Sequence, residues 1–234
     1  MEARYQRRIK ETQLILYKIE EGTPPNVKFN IFKRINTGGL PLSAQEIRHA
    51  LNQGPAVRFL TELATSQEFK RATDNGINDK RMADQECVLR HVAFALTPYY
   101  RTSDLDTFLN EAMASLNQMS AEKRTELGMR FRRVMVAARD IFDKEAFRKR
   151  YSPSASRSPI NKALFETWSV NLDRLSDADL QRLQLQRAAL MEGFIALMNK
   201  QDFSDAVSYA TGDPRKVALR FERVRQLIQE VLTE

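Results

Sequence analysis

Few residues of this 234-residue chain have the chemistry of a catalyst. It has two histidines, His49 and His91, and each directly follows an arginine. A zinc site needs a cluster of His and Cys ligands, and no such spacing occurs. The ordinary reading is a histidine packed at a helix surface. Cys87, the one cysteine, sits in an apolar stretch and reads as a small core residue rather than a nucleophile. The sequence contains no P-loop, no GxSxG elbow and no HNH-like cluster. What remains is binding chemistry, and three segments carry it.

The first is IFKRINTGGLPLSAQEIR, residues 31–48. Backbone N–H groups around two glycines can form an anion-binding nest. The helix that follows adds free N–H groups and a positive dipole end. Asn36, Thr37, Gly38 and Gly39, with Arg48 and Arg81 as added charges, are therefore candidates for holding a phosphate. The competing reading is a plain helix–turn–helix connection whose glycines satisfy backbone geometry. The second segment is Asp79 to Glu86 with Arg90 one turn on. Glu86 and Arg90 are four apart and can pair on one helix face. Asp84 and Glu86 would orient the arginines or hold a magnesium ion. A helix cap with an ion-pair network is the plainer alternative. The third is the basic stretch 121–157, where eleven Lys and Arg face five acids. That excess of six is most of the chain's net +7. Arg130, Arg132, Arg133, Arg148, Lys149 and Arg150 are its candidates for nucleic-acid contact, since cations beside an aromatic such as Tyr151 suit phosphate contact and stacking. A solvated helix face explains the same charges.

The elements that must position these groups read as helices. Eight Gly and eight Pro leave few breaks, and 42% hydrophobic against 29% charged residues is an ordinary globular balance. Apolar residues at helical spacing predict helices over about 26–35, 44–52, 55–65, 82–96, 104–118, 121–145 and 214–233. Ser43 with Glu46 is a capping box; Ser120 and Ser176 read as caps, as does Ser103 or Asp104. Residues 12–19, TQLILYKI, differ: they predict a strand that stops at Gly22-Thr23-Pro24-Pro25. No second strand is legible, so it is an orphan. The expected fold is a mainly α, multi-helix bundle with one N-terminal orphan strand. Three units are expected: 1–25, a remnant strand segment and linker; 26–151, a helical domain; and 159–234, a C-terminal helical subdomain. The Ser-rich residues 152–158 divide the last two. MEARYQRRIK has no apolar core, and no run of about 18 apolar residues occurs, which predicts no leader, no membrane span and a cytoplasmic setting.

Phe32 to Ser43, with Glu46-Ile47-Arg48, resembles the C-terminal part of the GmrSD restriction endonuclease N-terminal domain family. Arg81-Met82, Asp84, Glu86 and Leu89-Arg90 extend the likeness, as do the opening strand and the helices to about residue 110. The resemblance implies the helical half of a two-part module whose other half is ParB-like and hydrolyses nucleotides. Members act in bacterial defence against modified foreign DNA, often fused to an HNH nuclease. The catalytic half carries an Asp-Gly-Gln-Gln-Arg motif; this sequence contains neither that motif nor the nuclease motif. Neither nucleotide hydrolysis nor DNA cleavage therefore carries over to residues of this sequence. Its implied partners are DNA and a catalytic or nuclease protein, with a nucleoside triphosphate and Mg when combined with a catalytic half. Asn36, Gly38 and Gly39 would face that half, and the orphan strand would join its sheet. An autonomous nucleic-acid-binding module and a protein-interaction module are the other readings.

Overall fold

A computed structural model describes residues 3–13, 15, 16, 18–35, 40–77, 79–99 and 104–233. These residues form a mainly helical protein. The helices are α1 (Ala3–Glu11), α2 (Pro25–Ile35), α3 (Ala44–Leu51), α4 (Pro55–Thr65), α5 (Gln67–Thr73), α6 (Ala83–Leu96), α7 (Leu105–Gln118), α8 (Ala121–Phe142), α9 (Lys162–Asp173), α10 (Asp177–Leu185), α11 (Arg187–Met198), α12 (Gln201–Ala206) and α13 (Pro214–Thr233). Their ends follow local chemistry. Ser43 closes the expected capping box with Glu46. The side chains of Asp104, Ser120 and Ser176 cap α7, α8 and α10, each satisfying a backbone N–H that the helix leaves open.

The strand expected over 12–19 is corrected: no strand forms among the described residues, and Ile15 and Leu16 are 81% and 88% exposed. A strand is held by ladder partners, and the described residues offer this one none.

The core is built around α9, whose residues from Ala163 to Asp173 are all buried. α9 lies against α6 and α8 on one side and α13 on another. Trp168 meets Phe142 and Phe194 edge-on, and Phe165 packs with Phe69 and Phe147. The buried apolar cluster runs from Ala56 to Leu232. Helices on both sides of residues 152–158 contribute to this cluster. Outside it, α2 is fastened by buried Phe29 and packs on α3 and α7.

A helix buried on every side must satisfy its polar residues internally. In α9 each has a partner. Thr167 Oγ1 donates to the Ala163 carbonyl at 2.6 Å, and Asn171 Nδ2 donates to the Thr167 carbonyl at 2.9 Å. Ser169 Oγ meets His91 Nδ1 at 3.0 Å. Asp173 binds Arg130, and Glu166 binds two arginines.

Candidate functional site

The first candidate site centres on the start of α3. Asn36, Thr37, Gly38 and Gly39 lie outside the described residues. Arg81 does arrive there. Consecutive left-handed residues, Arg81 (φ 61°) and Met82 (φ 58°), within a 3₁₀ turn (Lys80–Met82), turn the chain into α6. This aims the Arg81 carbonyl at Ser43 Oγ, which donates to it at 2.9 Å. The Arg81 guanidinium lies 3.3 Å from Glu46 Oε2. The Ser43 N–H donates to the same carboxylate at 2.6 Å, and this bond chiefly holds the Glu46 carboxyl below its ordinary range. The N-terminus of α3 therefore already faces an anion, its own Glu46.

Arg48 sits one turn further on, 1% exposed. Its Nη2 lies 2.5 Å from Asp106 Oδ1, and its guanidinium stacks 5.5 Å over the Phe29 ring. Burial lowers its pKa, and Asp106 pulls back up. Lys33 reaches the other Asp106 oxygen at 3.0 Å. Arg48 thus clamps α3 to α7 beneath α2, rather than offering its charge to solvent.

The expected roles of Asp84 and Glu86 are corrected. Neither orients Arg48 or Arg81 through a hydrogen bond among the described residues. Asp84 Oδ1 accepts from the Gln85 N–H at 2.8 Å. Glu86 pairs with Arg90 at 2.9 Å, as their spacing predicts, and with Lys162 at 2.6 Å. Burial alone would raise the Glu86 carboxyl, but Arg90 and Lys162 hold it below the ordinary carboxylate value. A magnesium ion needs several free oxygen ligands. Both carboxylate oxygens of Glu86 are engaged, and among the described residues no group of three His, Cys, Asp or Glu could hold a metal. The residues present do not fit the ion.

Behind Glu86 lies a buried ionic chain that sequence reasoning missed. Arg90 Nη1 lies 2.8 Å from Glu166 Oε2, and the other Glu166 oxygen binds Arg220 Nη2. The Glu166 and Arg220 side chains are wholly buried. Arg220 Nη1 also donates to the Thr211 carbonyl at 2.9 Å. Burial lowers the Arg220 pKa and Glu166 opposes it. The chain ties α6, α9 and α13 together. The available signal was a lone acid inside the apolar run Ala163 to Trp168, facing a lone Arg in the stripe of α13.

The basic stretch is largely engaged within the molecule. Arg130 pairs with Asp173, Arg132 with Glu62 and Glu68, and Arg133 with Asp177 and the carbonyl of Leu175. Arg148 is buried and donates to the carbonyls of Lys144, Ser158 and Thr73. Lys149 donates to Ser208 Oγ, and Arg150 pairs with Glu145 at 3.1 Å. These contacts fasten α8 and the following loop to α4, α5, α9, α10 and the turn after α12.

His91 is wholly buried rather than at a helix surface. Its ring edge rests on Phe131, and burial lowers its pKa to about 4, so it is neutral near pH 7. Cys87 is a core residue, with its thiol raised to about 12 by burial. It is no thiolate nucleophile at neutral pH.

Among the described residues no helix is long and apolar enough to cross a membrane. Compared with protein-family models, curated proteins and solved structures, the chain finds no match in any of the three.

Proposed function

We propose that the chain is the helical, non-catalytic portion of a bacterial restriction or anti-phage defence protein of GmrSD type, working in the cytoplasm. It docks through its first 42 residues onto a ParB-like catalytic half, attached or separate, and helps that half hold a nucleotide or DNA. The observation that supports this reading is where the apolar surface lies. Among the described residues, nine of the fifteen exposed large apolar side chains stand at or before Leu42. They include Ile15, Leu16, Phe32, Ile35 and Leu40. A concentration of exposed apolar groups marks a contact surface. The Asn-Thr-Gly-Gly-Leu segment lies inside the same stretch, which carries the resemblance.

Of the two other readings, protein interaction draws on the same surface. An autonomous grip on nucleic acid by Arg130 to Arg150 draws little, because those cations already have partners.

The test is co-expression with a ParB-like protein of this family that carries the Asp-Gly-Gln-Gln-Arg motif. Co-purification, abolished by a Leu16→Glu/Phe32→Glu variant, is the expected outcome. Failure to co-purify, with unchanged nucleotide hydrolysis by the catalytic half, would overturn the reading.

A further inference from the structure

Helices α4 and α8 pack side by side. Phe59 and Leu63 pack against Gly128, and Arg132 reaches Glu62 further along. The approach is close: a Cβ at Gly128 would stand 3.3 Å from the Phe59 ring, which would have to give by a few tenths of an ångström. Above this contact opens a groove of about 310 Å³. Its floor is apolar, formed by Phe59, Leu63 and Gly128, with exposed Met129 at the edge. Its rim carries Arg58, Arg124 and Arg132 against one carboxylate, Glu62.

The three arginines are not equally committed. Arg132 is divided between Glu62 and Glu68. Arg124 gives Nη1 to the carbonyls of Leu116 and Met119 at the end of α7, which leaves its Nε and Nη2. Arg58 is exposed and makes no hydrogen bond or ion pair among the described residues. The groove thus pairs an apolar floor with an excess of two positive charges and a set of unspent guanidinium donors. Guanidinium forks match phosphate oxygens in geometry and charge. The volume suits a small molecule rather than a helix or a duplex.

We propose that the α4–α8 groove binds a small organic phosphate whose body is a flat ring. Its phosphate is taken by Arg58 and Arg124, and its ring lies over Phe59 and against Met129 at the edge. This site uses none of the residues of the α3 region and does not rest on the defence-protein reading.

Calorimetric titration with adenosine monophosphate, phenyl phosphate and inorganic phosphate tests it, with the Met129 methyl signal followed by NMR. The two ring-bearing probes should saturate one site, perturb the Met129 methyl, and bind at least about tenfold more tightly than inorganic phosphate, whose contacts omit the floor. Arg58→Gln should weaken them by about tenfold or more, the effect of losing a charge-assisted hydrogen bond. Its thermal midpoint should not move, because Arg58 is exposed. Arg187→Gln, which removes an exposed charge on α11, should leave binding unchanged. Absence of saturable binding, a silent Met129 methyl, equal losses in the two variants, or inorganic phosphate binding as well as the ring-bearing probes would each overturn the proposal. A 5′-phosphorylated oligonucleotide binding tenfold tighter than the mononucleotide would overturn the small-molecule assignment.

Discussion

The helical body and the N-terminal segment treat water in opposite ways. In the body, from α4 onward, even charges are taken inside: Glu166 and Arg220 are wholly buried, and Arg90 nearly so. Before α3, even apolar side chains are left outside. α1 buries none of its residues, and Ile15, Leu16 and Leu40 are more than four-fifths exposed. Burying apolar area is the main stabilising term in folding, at about 25 cal/mol per Å². The body has used it, with a continuous core around α9. The described part of the N-terminal segment leaves most of its large apolar side chains in water, and on the proposed reading a partner surface would cover them. Burial and exposure of apolar surface thus fall on different stretches of one chain, and the consequence of each can be tested separately.

The largest effect should come from the ionic chain in the body. Glu166→Gln keeps the shape of the side chain but removes the charge between Arg90 and Arg220. Arg90 retains Glu86, whereas Arg220 is left buried with carbonyl partners alone. Breaking a buried pair by removing one member costs about 3–5 kcal/mol. Urea denaturation should show a loss of that size. The double variant Glu166→Gln/Arg220→Met should recover at least about 1 kcal/mol of it, because the stranded charge is gone. A double variant no better than the single one would mean that the arginine stem, not its charge, holds α13 to α9.

A second effect, smaller and confined to acid, comes from His91. Its folded pKa is lowered to about 4 by burial, whereas an unfolded histidine titrates near ~6.5. Between these values the unfolded chain binds the extra proton, so stability rises with pH across that window. The contribution is fully present above about pH 6.5 and is lost as the pH falls toward 4, by about 3 kcal/mol in total. Thermal midpoints measured from pH 7 to pH 4 should show this decline in the native protein. His91→Leu should remove it in that window, leaving the carboxylate pairs, Glu86 among them, to govern the fall at lower pH. An unchanged slope in His91→Leu would place the acid sensitivity elsewhere.

The two regions also differed in how far the sequence revealed them. In the body, helical spacing and caps placed α4, α6, α7 and α13 within about a residue of their ends, because amphipathic periodicity is a local signal. α5 escaped, being seven residues long and following α4 across a single Ser66. The ionic chain escaped for another reason. Glu166 and Arg220 are 54 residues apart, and no local pattern tells a buried acid which cation it will meet. Residues 12–19 misled, since β-branched and aromatic residues favour a strand without supplying the strand beside it. At the α3 site the Ser43–Glu46 capping box was legible, because its two members lie three residues apart. It did not show that Arg81 would pair with Glu46 or that Asp106 would meet buried Arg48. Both depend on a contact between distant segments. The charge of 121–157 was legible, but its destination was not: every acid that pairs with Arg130, Arg132 and Arg133 lies outside the stretch.

The smallest effect on stability is expected where the largest effect on association is. Leu16→Ser removes a side chain that is 88% exposed and belongs to no buried cluster. Surface changes of this kind stay within about 0.5 kcal/mol. The denaturation midpoint of the body should therefore be unchanged. Binding of a hydrophobic dye, or self-association in sedimentation, should nevertheless fall, because Leu16 is among the most exposed of the large apolar side chains. Phe29→Ala is the counterpart inside the same segment. Phe29 is buried against Arg48, and its truncation should cost about 3–5 kcal/mol of whatever holds α2 in place. If Leu16→Ser lowers stability as Phe29→Ala does, the outer residues are part of a fold completed within this chain. If it lowers association and leaves stability alone, the segment is a surface made for another partner, fastened to the body at Phe29 and Lys33.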